Sequence, residues 1–210
     1  GGQSGIIIAD PRLLISDPGL TNFTMRKYKK HPTLSICMIT KNEEENLAAC
    51  LEGVKEFADE IIIVDTGSND KTLSIARSYG AKVYNYTWTD DFSAARNESI
   101  RHALCDWILS IDADERVDKT NAKRIKDAIN ILHVDAYLVK LNNTIKQCDD
   151  SSIARQITKS YRLFRNFREF AFTGRIHEEI SVSLSEKNAK AQESNIIINH
   201  LGYAKDEKAF

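Results

Sequence analysis

The sequence predicts an α/β fold in which a mostly parallel central sheet is flanked by helices. Short runs of apolar residues, typical of strands buried on both faces, alternate with segments whose apolar residues recur at helical spacing. The connections between these segments are short, which favours right-handed β-α-β units. Several apolar runs end abruptly on polar or acidic residues. Because ligands of such sheets bind beyond the carboxyl ends of the strands, these residues are the first candidates for a site.

The first half of the chain predicts four strands separated by three helices. The strands are predicted at residues 34–39, 60–65, 82–86 and 107–111. The first helix places Leu47, Leu51 and Val54 on one face, and the second ends at Gly80. The third runs through Ala94 and Ala95 to about residue 104.

The second half has a weaker pattern. A helix is predicted at 121–133 and a strand at 135–141, followed by a polar segment, 142–157, interpreted as a loop. Two further strands are predicted at 161–164 and 196–200, with a second polar loop at 183–194 between them.

Length and composition predict one domain, at residues 33–204. The 210 residues are 42% hydrophobic and 28% charged with a net charge of -1, which is typical of a soluble globular protein without a basic surface for nucleic acid. Residues 1–32 are interpreted as a leader that begins with a cloning remnant, Gly1 to Gly5, and 205–210 as the start of a truncated C-terminal region.

The sequence predicts a cytoplasmic protein. No apolar run reaches the roughly 18 residues of a membrane helix, and no signal peptide is evident. The basic residues 26–31 would suit peripheral contact with an anionic membrane surface or a phosphate, although a solvated linker is the alternative. The cysteines lack metal-binding spacing and are interpreted as reduced packing residues. They are Cys37, Cys50, Cys105 and Cys148.

Asp112 and Asp114 follow the fourth strand, with Ala113 between them. If the backbone stays extended, both carboxylates project to the same side and suit Mg²⁺ or Mn²⁺. A solvated turn is the alternative. Thr40 and Asp65 also stand at predicted strand ends, and this convergence favours a site.

Several polar motifs occur together in this order. The first four are residues 39–43 (ITKNE), 63–70 (IVDTGSND), 91–97 (DFSAARN) and 111–114 (IDAD). Together they resemble the family-2 inverting glycosyltransferases, which have the A-type, nucleotide-sugar-binding Rossmann-like fold. Residues 174–179 (GRIHEE) and 200–203 (HLGY) are similar to the branch that contains lipopolysaccharide-core glucosyltransferases and bacteriocin S-glycosyltransferases. The resemblance spans about residues 34–203.

The resemblance implies a metal-dependent transferase. It would move a hexose or N-acetylhexosamine from a UDP-sugar to a hydroxyl or thiol by single displacement. The acceptor would be a peptide, a glycan or a lipid-linked saccharide. A non-catalytic nucleotide-binding module and a nucleotidyltransferase are the alternatives, although the latter requires a glycine-rich phosphate loop that residues 40–43 lack.

Candidate nucleotide contacts lie at the first two strand ends. Thr40 and Glu43 are expected at the base or ribose, with Asn42 either beside them or at a helix start. Asp65 would accept the N3–H of uracil, which cytosine lacks, or would act as a strand-end N-cap. Arg96 suits a diphosphate or the uracil edge, with a surface helical arginine as the alternative.

The resemblance also implies the metal ligands. Asp112, with Ala113 among the nucleotide-sugar contacts, would meet the ribose or a metal-bound water, and Asp114 would bind the metal. His200 would close the metal shell, and its imidazole favours Mn²⁺ over Mg²⁺. A structural histidine is the alternative.

Glu178 is the predicted general base. Single displacement requires a group within hydrogen-bond reach of the acceptor proton, and a raised pKa at Glu178, with His177 orienting it, would suit that role. Glu179 and Glu115 are the rival candidates. Pairing of Glu178 or Glu179 with Arg175 in a surface ion pair is the alternative.

Overall fold

The computed structural model describes residues 31–146 and 153–201, which belong to one compact unit. The strands are β1 (Leu34–Thr40), β2 (Glu60–Asp65), β3 (Lys82–Asn85), β4 (Trp107–Ser110), β5 (Glu115–Arg116), β6 (Ala136–Lys146), β7 (Ile153–Arg165) and β8 (Ala191–His200). The α-helices are α1 (Leu47–Val54), α2 (Thr72–Ser78), α3 (Phe92–Arg101), α4 (Lys119–Ile129) and α5 (Ser181–Glu186). A 3₁₀ turn, Asn166–Arg168, follows β7.

The strands form one eight-stranded sheet in the order β3-β2-β1-β4-β7-β6-β8-β5. Four of its seven pairings are parallel, namely β1 with β2, β2 with β3, β1 with β4, and β6 with β8. β7 runs antiparallel to both β4 and β6, and β5 runs antiparallel to β8. The structure confirms the predicted α/β class with its mostly parallel central sheet flanked by helices.

The register brings the candidate residues to one edge. Thr40 is paired with Asp65 across β1 and β2, and Cys37 is paired with Ser110 across β1 and β4. Because these strands are parallel, their carboxyl ends lie together, and Asp112 follows two residues beyond the end of β4.

The two faces of the sheet are buried against different elements. Ile36 and Met38 of β1 belong to a cluster with residues of α1, α2 and α4, whereas Cys37 belongs to a second cluster with Phe164 and Phe172. The alternation of strand side chains explains this division. Cys37 and Cys50 are buried free thiols and Cys105 is partly buried, in line with packing roles, whereas Cys148 lies outside the described residues.

Several predicted boundaries were wrong. Residues 142–146 continue β6 and residues 153–157 begin β7, where a loop was expected, because the long antiparallel pairing of these strands does not depend on apolar alternation. The second predicted loop, 183–194, contains most of α5 and the start of β8. Helix α4 begins two residues earlier than predicted, where Asp118 caps it by accepting the Asn121 N–H at 2.8 Å.

The predicted leader, apart from residues 31 and 32, and the predicted C-terminal segment lie outside the described residues. In the part of the chain that is described, none of the helices is long and apolar enough to cross a membrane.

Candidate functional site

The loops after β1 and β2 are joined by hydrogen bonds. The Asn42 N–H donates to Ser68 Oγ at 2.9 Å, and the Asn69 N–H donates to Asn42 Oδ1 at 2.8 Å. The Glu43 N–H donates to Thr72 Oγ1 at 2.7 Å. Asn42 has a φ of 55° and lies in the loop, so it is not a helix-start residue, since α1 begins at Leu47. These bonds fix the two loops as one surface at the carboxyl edge of the sheet.

Asp65 organises the second loop. One of its carboxylate oxygens accepts the Gly67 and Ser68 N–H groups at 3.0 and 2.9 Å, and the other accepts the Ser68 hydroxyl. Thr40 Oγ1 lies 3.5 Å from this second oxygen. Asp65 therefore closes a turn and does not cap α2, whose N-cap is Lys71. A carboxylate has about four lone-pair positions, and these four contacts use all of them, so a ligand donor would have to replace the long contact with Thr40.

The acidic segment after β4 is a turn. The Glu115 N–H donates to the Asp112 carbonyl at 3.0 Å, and the Asp112 N–H donates to the Glu115 carboxylate at 2.8 Å. The expectation of an extended backbone that aims both carboxylates at one ion was therefore wrong. Asp112 and Asp114 instead have different partners.

Asp112 lies in a network of buried and partly buried charges. Arg96 Nη2 contacts Asp112 Oδ1 at 2.8 Å, and Arg96 Nε donates to Glu178 Oε1 at 2.8 Å. Arg162 Nη2 contacts Asp112 Oδ2 at 3.3 Å and Glu115 Oε1 at 3.6 Å. The network holds three carboxylates and two guanidinium groups, so it carries about one net negative charge when all are ionised.

Burial opposes ionisation of Asp112, but Arg96 and Arg162 outweigh it and hold the pKa of that carboxyl well below its usual range. Burial raises the pKa of Glu115. Its side chain is 1% exposed and lies 3.6 Å from Arg162. Glu115 is therefore shielded from an acceptor, which removes it as a candidate base.

Glu178 is presented by the loop 173–179. Backbone bonds in both directions between Thr173 and Glu179, each 2.9 Å, close this loop, and Gly174 in it has a φ of 95°. Glu178 is 16% exposed and paired with Arg96 of α3, so the expected alternative partner, Arg175, is not the observed one.

The neighbours of Glu178 have other partners. Arg175 Nε donates to the Asp90 carbonyl at 3.3 Å, and Ser181 Oγ donates to Glu179 at 2.8 Å. His177 is exposed, and the Glu178 carboxylate is oriented by Arg96, where orientation by His177 was expected.

The first turns of α3 hold this loop in place. The Phe92 N–H donates to the Arg175 carbonyl at 3.0 Å, and the Ser93 hydroxyl donates to the Gly174 carbonyl. The Asn97 side chain exchanges two hydrogen bonds with the Phe172 backbone, at 2.9 and 2.8 Å. Helix α3 thus positions both Arg96 and the loop that carries Glu178.

Asp114 and His200 form a separate pair. His200 Nε2 lies 3.1 Å from Asp114 Oδ2, and Nδ1 lies 2.8 Å from Asn143 Oδ1. Antiparallel pairing of β5 with β8 and the Leu201 N–H, which donates to the Asp114 carbonyl at 3.1 Å, bring the two chain segments together. The hydrogen bond with Asp114 raises the pKa of His200 above its usual value, although burial opposes the shift.

This pair fits a divalent cation that shares its ligands with a substrate. Among the described residues, no group of three or more His, Cys, Asp or Glu side chains is placed to hold a metal ion. Two ligand atoms at right angles on an ion, each about 2.1 Å from it, lie about 3 Å apart, which matches the separation of Asp114 Oδ2 and His200 Nε2. The remaining ligands of such an ion are typically waters and phosphate oxygens.

Sequence reasoning missed two side chains of the site, Arg162 and Asn143. Arg162 was a charged residue inside a predicted apolar strand, which is a signal of a buried ionic role. Asn143 lay in a segment predicted as a loop and had no such signal.

The family model described as "Glycosyl transferase family 2" matches residues 35–183. The chain is 36% identical over 179 residues to a TPR repeat-containing protein of Synechococcus elongatus, a match that covers 82% of this chain and 43% of that protein. It is 29% identical over 150 residues to the SPbeta prophage-derived glycosyltransferase SunS of Bacillus subtilis, covering 70% of this chain and 35% of SunS. The chain therefore spans less than half the length of these relatives.

Solved structures show the same fold at low sequence identity. The S. aureus TarS fragment 1–349 in complex with UDP-GlcNAc superposes with a TM-score of 0.62 at 18% identity, over 84% of this chain and 60% of that one. Glucosyl-3-phosphoglycerate synthase from Mycobacterium tuberculosis, in complex with Mn²⁺, UDP and glucosyl-3-phosphoglycerate, gives a TM-score of 0.57 at 14% identity, over 80% and 72% of the two chains.

Proposed function

Because this chain belongs to glycosyl transferase family 2, we propose that it transfers a hexose or N-acetylhexosamine from a UDP-sugar to an acceptor hydroxyl or thiol by a single, inverting displacement. The observation that carries the proposal is the position of Arg96. Its guanidinium joins Asp112, at the carboxyl edge of the parallel strands, to Glu178 on the loop 173–179. The candidate nucleotide-binding edge and the candidate base would thereby belong to one site.

The joined loops after β1 and β2 provide the floor for the nucleotide. Thr40, Asn42 and Glu43 would line one side and Asp65 the other, and the N3–H of uracil would replace the 3.5 Å contact of Thr40 with Asp65 Oδ1. Ala113 is 3% exposed and its side chain packs in the hydrophobic core, so it would contact the sugar nucleotide only through its backbone. Two fold neighbours, one crystallised with UDP-GlcNAc and one with UDP and Mn²⁺, support a uridine nucleotide as the donor.

Asp114 and His200 would hold Mn²⁺ or Mg²⁺. The ion would neutralise the charge that develops on the departing diphosphate. Arg96, which is 5% exposed and paired with Asp112 and Glu178, would act by positioning these two carboxylates.

Glu178 would accept the acceptor proton. Arg96 holds one of its carboxylate oxygens at 2.8 Å, which orients the other toward an incoming hydroxyl or thiol. A groove beside this loop is lined by Trp88, by Phe92 of α3 and by Ile176 of the loop. An acceptor would approach through this groove. The acceptor would be a peptide, a glycan or a lipid-linked saccharide.

Calorimetry of UDP binding with and without Mn²⁺ tests the donor half of the proposal. We expect Asp114→Ala to abolish the metal-dependent part of UDP binding and to stop UDP release from UDP-glucose and UDP-GlcNAc, because it removes one of the two protein ligands. Asp127→Ala, which removes an exposed carboxylate of α4, is the matched control and should bind UDP like the wild type.

Metal-dependent UDP binding that persists in Asp114→Ala contradicts the assignment. Wild-type binding of UDP without release of UDP from either sugar nucleotide would instead identify a non-catalytic nucleotide-binding module.

A further inference from the structure

We infer that Asn143 is a positioning residue for the metal site: it selects the tautomer of His200 and aims the Nε2 lone pair at the position beside Asp114. This inference rests on the proposed function, in which Asp114 and His200 hold the divalent ion. It adds a residue of β6 that takes no direct part in binding the ion.

The backbone places Asn143 beside His200. The two residues are paired across the parallel strands β6 and β8, so their side chains project from the same face of the sheet. Asn143 is 5% exposed, and its Oδ1 lies 2.8 Å from His200 Nδ1. The contact is therefore a short hydrogen bond shielded from water.

A second hydrogen bond holds the Asn143 amide. Its Nδ2 donates to Thr158 Oγ1 on β7 at 3.1 Å, while its carbonyl oxygen faces the imidazole. An oxygen acceptor at 2.8 Å requires the proton to be on Nδ1. A neutral imidazole has only one N–H, so Nε2 then carries the lone pair.

That lone pair faces a carboxylate. Nε2 lies 3.1 Å from Asp114 Oδ2, so without an ion this contact is a hydrogen bond from a protonated imidazole. With Nδ1 held as the donor to Asn143, a divalent ion bound by both atoms would take the place of the Nε2 proton alone. The chain Thr158–Asn143–His200 therefore presets the imidazole as a metal ligand, in the way that outer partners orient histidine ligands of metal sites.

The next residue along β6 provides a matched control. Asn142 has the same side chain but projects from the opposite face, where its Nδ2 donates to Asn199 Oδ1 at 2.8 Å. Its replacement perturbs the same strand and the same strand pairing, without touching the bond to the His200 ring.

The test is the affinity of the protein for Mn²⁺ in the presence of UDP, measured from the electron paramagnetic resonance signal of free Mn²⁺. We expect Asn143→Leu, which keeps the approximate size but removes the acceptor, to weaken Mn²⁺ binding by about 10–100-fold. Asn143→Asp keeps an acceptor and should bind at least as tightly as the wild type, whereas Asn142→Leu should change the affinity by less than about twofold.

Two further measurements separate positioning from a general structural effect. Binding of UDP alone should be the same in all variants, and the magnetic coupling of imidazole nitrogen to bound Mn²⁺ should be lost or altered only in Asn143→Leu. If that variant does not fold, Thr158→Val carries the test, since loss of its hydroxyl frees the Asn143 amide to turn and should also weaken Mn²⁺ binding.

Wild-type Mn²⁺ affinity in both Asn143→Leu and Thr158→Val overturns the inference while leaving the proposed function intact. If the wild-type protein itself binds no Mn²⁺ with UDP present, the metal site in the proposed function fails.

Discussion

Arg96 is the side chain on which the geometry of the site depends most. It is 5% exposed and contacts carboxylates from two segments that lie 66 residues apart in the sequence, Asp112 and Glu178. A buried guanidinium is stable only when its donors are paired, so these contacts hold the strand end and the loop 173–179 at a fixed separation. The candidate base is consequently oriented before any acceptor arrives.

Replacement of Glu178 by Gln tests its role as the base. The amide keeps an oxygen for Arg96 but has no basicity, so we expect UDP release from a UDP-sugar to fall by about 10²–10⁴-fold with UDP affinity nearly unchanged. Glu179→Gln is the control, because Glu179 is exposed and bonded to Ser181. Initial-rate kinetics and calorimetry distinguish the two effects, and a larger loss in Glu179→Gln than in Glu178→Gln would assign the base to Glu179.

Sequence patterns predicted the individual acidic and basic residues of the site better than their partners. Asp112 and Asp114 were recognised because acids follow a buried strand, and the resemblance placed Asp114 with His200, but the pairing of Asp112 with two arginines was not predicted. Arg162 lies 50 residues after Asp112 in the sequence. It was missed because its contact with Asp112 depends on the antiparallel pairing of β7 with β4. Local patterns carry no information about that pairing.

Helix α3 connects the two parts of the site. It begins at Phe92, where Asp91 caps it by accepting the Ala94 N–H at 2.9 Å, and its first turns hold the loop 173–179 by hydrogen bonds. The loop itself turns at Gly174, where a Cβ atom would lie 2.7 Å from the His177 carbonyl oxygen. The shape of this loop therefore requires glycine at this position.

Replacement of Gly174 by Ala should reduce activity by distorting the loop 173–179, with only a modest loss of protein stability. Left-handed backbone costs a non-glycine residue about 1–2 kcal/mol, and the close contact forces His177 and Glu178 to move. We expect UDP release to fall at least about tenfold while UDP binding persists.

Gly80→Ala is the matched control for that variant. Gly80 also has a positive φ, 74°, but a Cβ there meets nothing within 4 Å. Gly80→Ala should lower the unfolding temperature about as much as Gly174→Ala does, without reducing UDP release. Equal losses of UDP release in both variants would show that backbone strain, and not the contact with His177, causes the loss.

The elements themselves were predicted most accurately where strands and helices alternate. From β1 to β4, buried apolar runs and helical spacing gave the correct order of elements, because each buried strand needs apolar side chains on both faces. The ribbon of β6 and β7 was misjudged because its outer segments, 142–146 and 153–157, mix polar and apolar residues without regular alternation. Its strands are defined by backbone pairing, which polar side chains do not reveal.

The domain as a whole has an ionic contact at the end of the sheet opposite the site. Glu60, at the start of β2, accepts hydrogen bonds from Ser35 of β1 at 2.6 Å and from the Leu104 N–H at 2.9 Å, and it pairs with Lys82 of β3 at 2.6 Å. Burial disfavours the ionised carboxylate, but these three partners outweigh it and hold the pKa of Glu60 below its ordinary value of 4.5.

The sign of the resulting pH dependence follows from this lowered pKa. A carboxyl whose pKa is lower in the folded state stabilises the fold above its unfolded pKa, and the contribution disappears as the pH falls through the folded pKa. We expect Glu60→Gln to lower the urea midpoint at pH 7 and to show less further loss than the wild type below about pH 4.5.

Urea unfolding measured at a series of pH values tests this expectation. Glu52→Gln is the control, since its pair with Lys55 is solvent-exposed and should change the midpoint little at any pH. A pH profile of Glu60→Gln that is identical to that of the wild type would show that Glu60 does not contribute to acid sensitivity.

The pairing of the short β5 with the end of β8 has a consequence for biosynthesis. Asp114 is translated 86 residues before His200, and the pairing of β5 with β8 brings the two together. On the ribosome, a nascent chain that has reached β7 already exposes the acidic turn but lacks the imidazole. If Asp114 and His200 hold the ion as proposed, the ion would be captured late, after nearly all of the described sheet has emerged, and a prematurely terminated chain would not retain it.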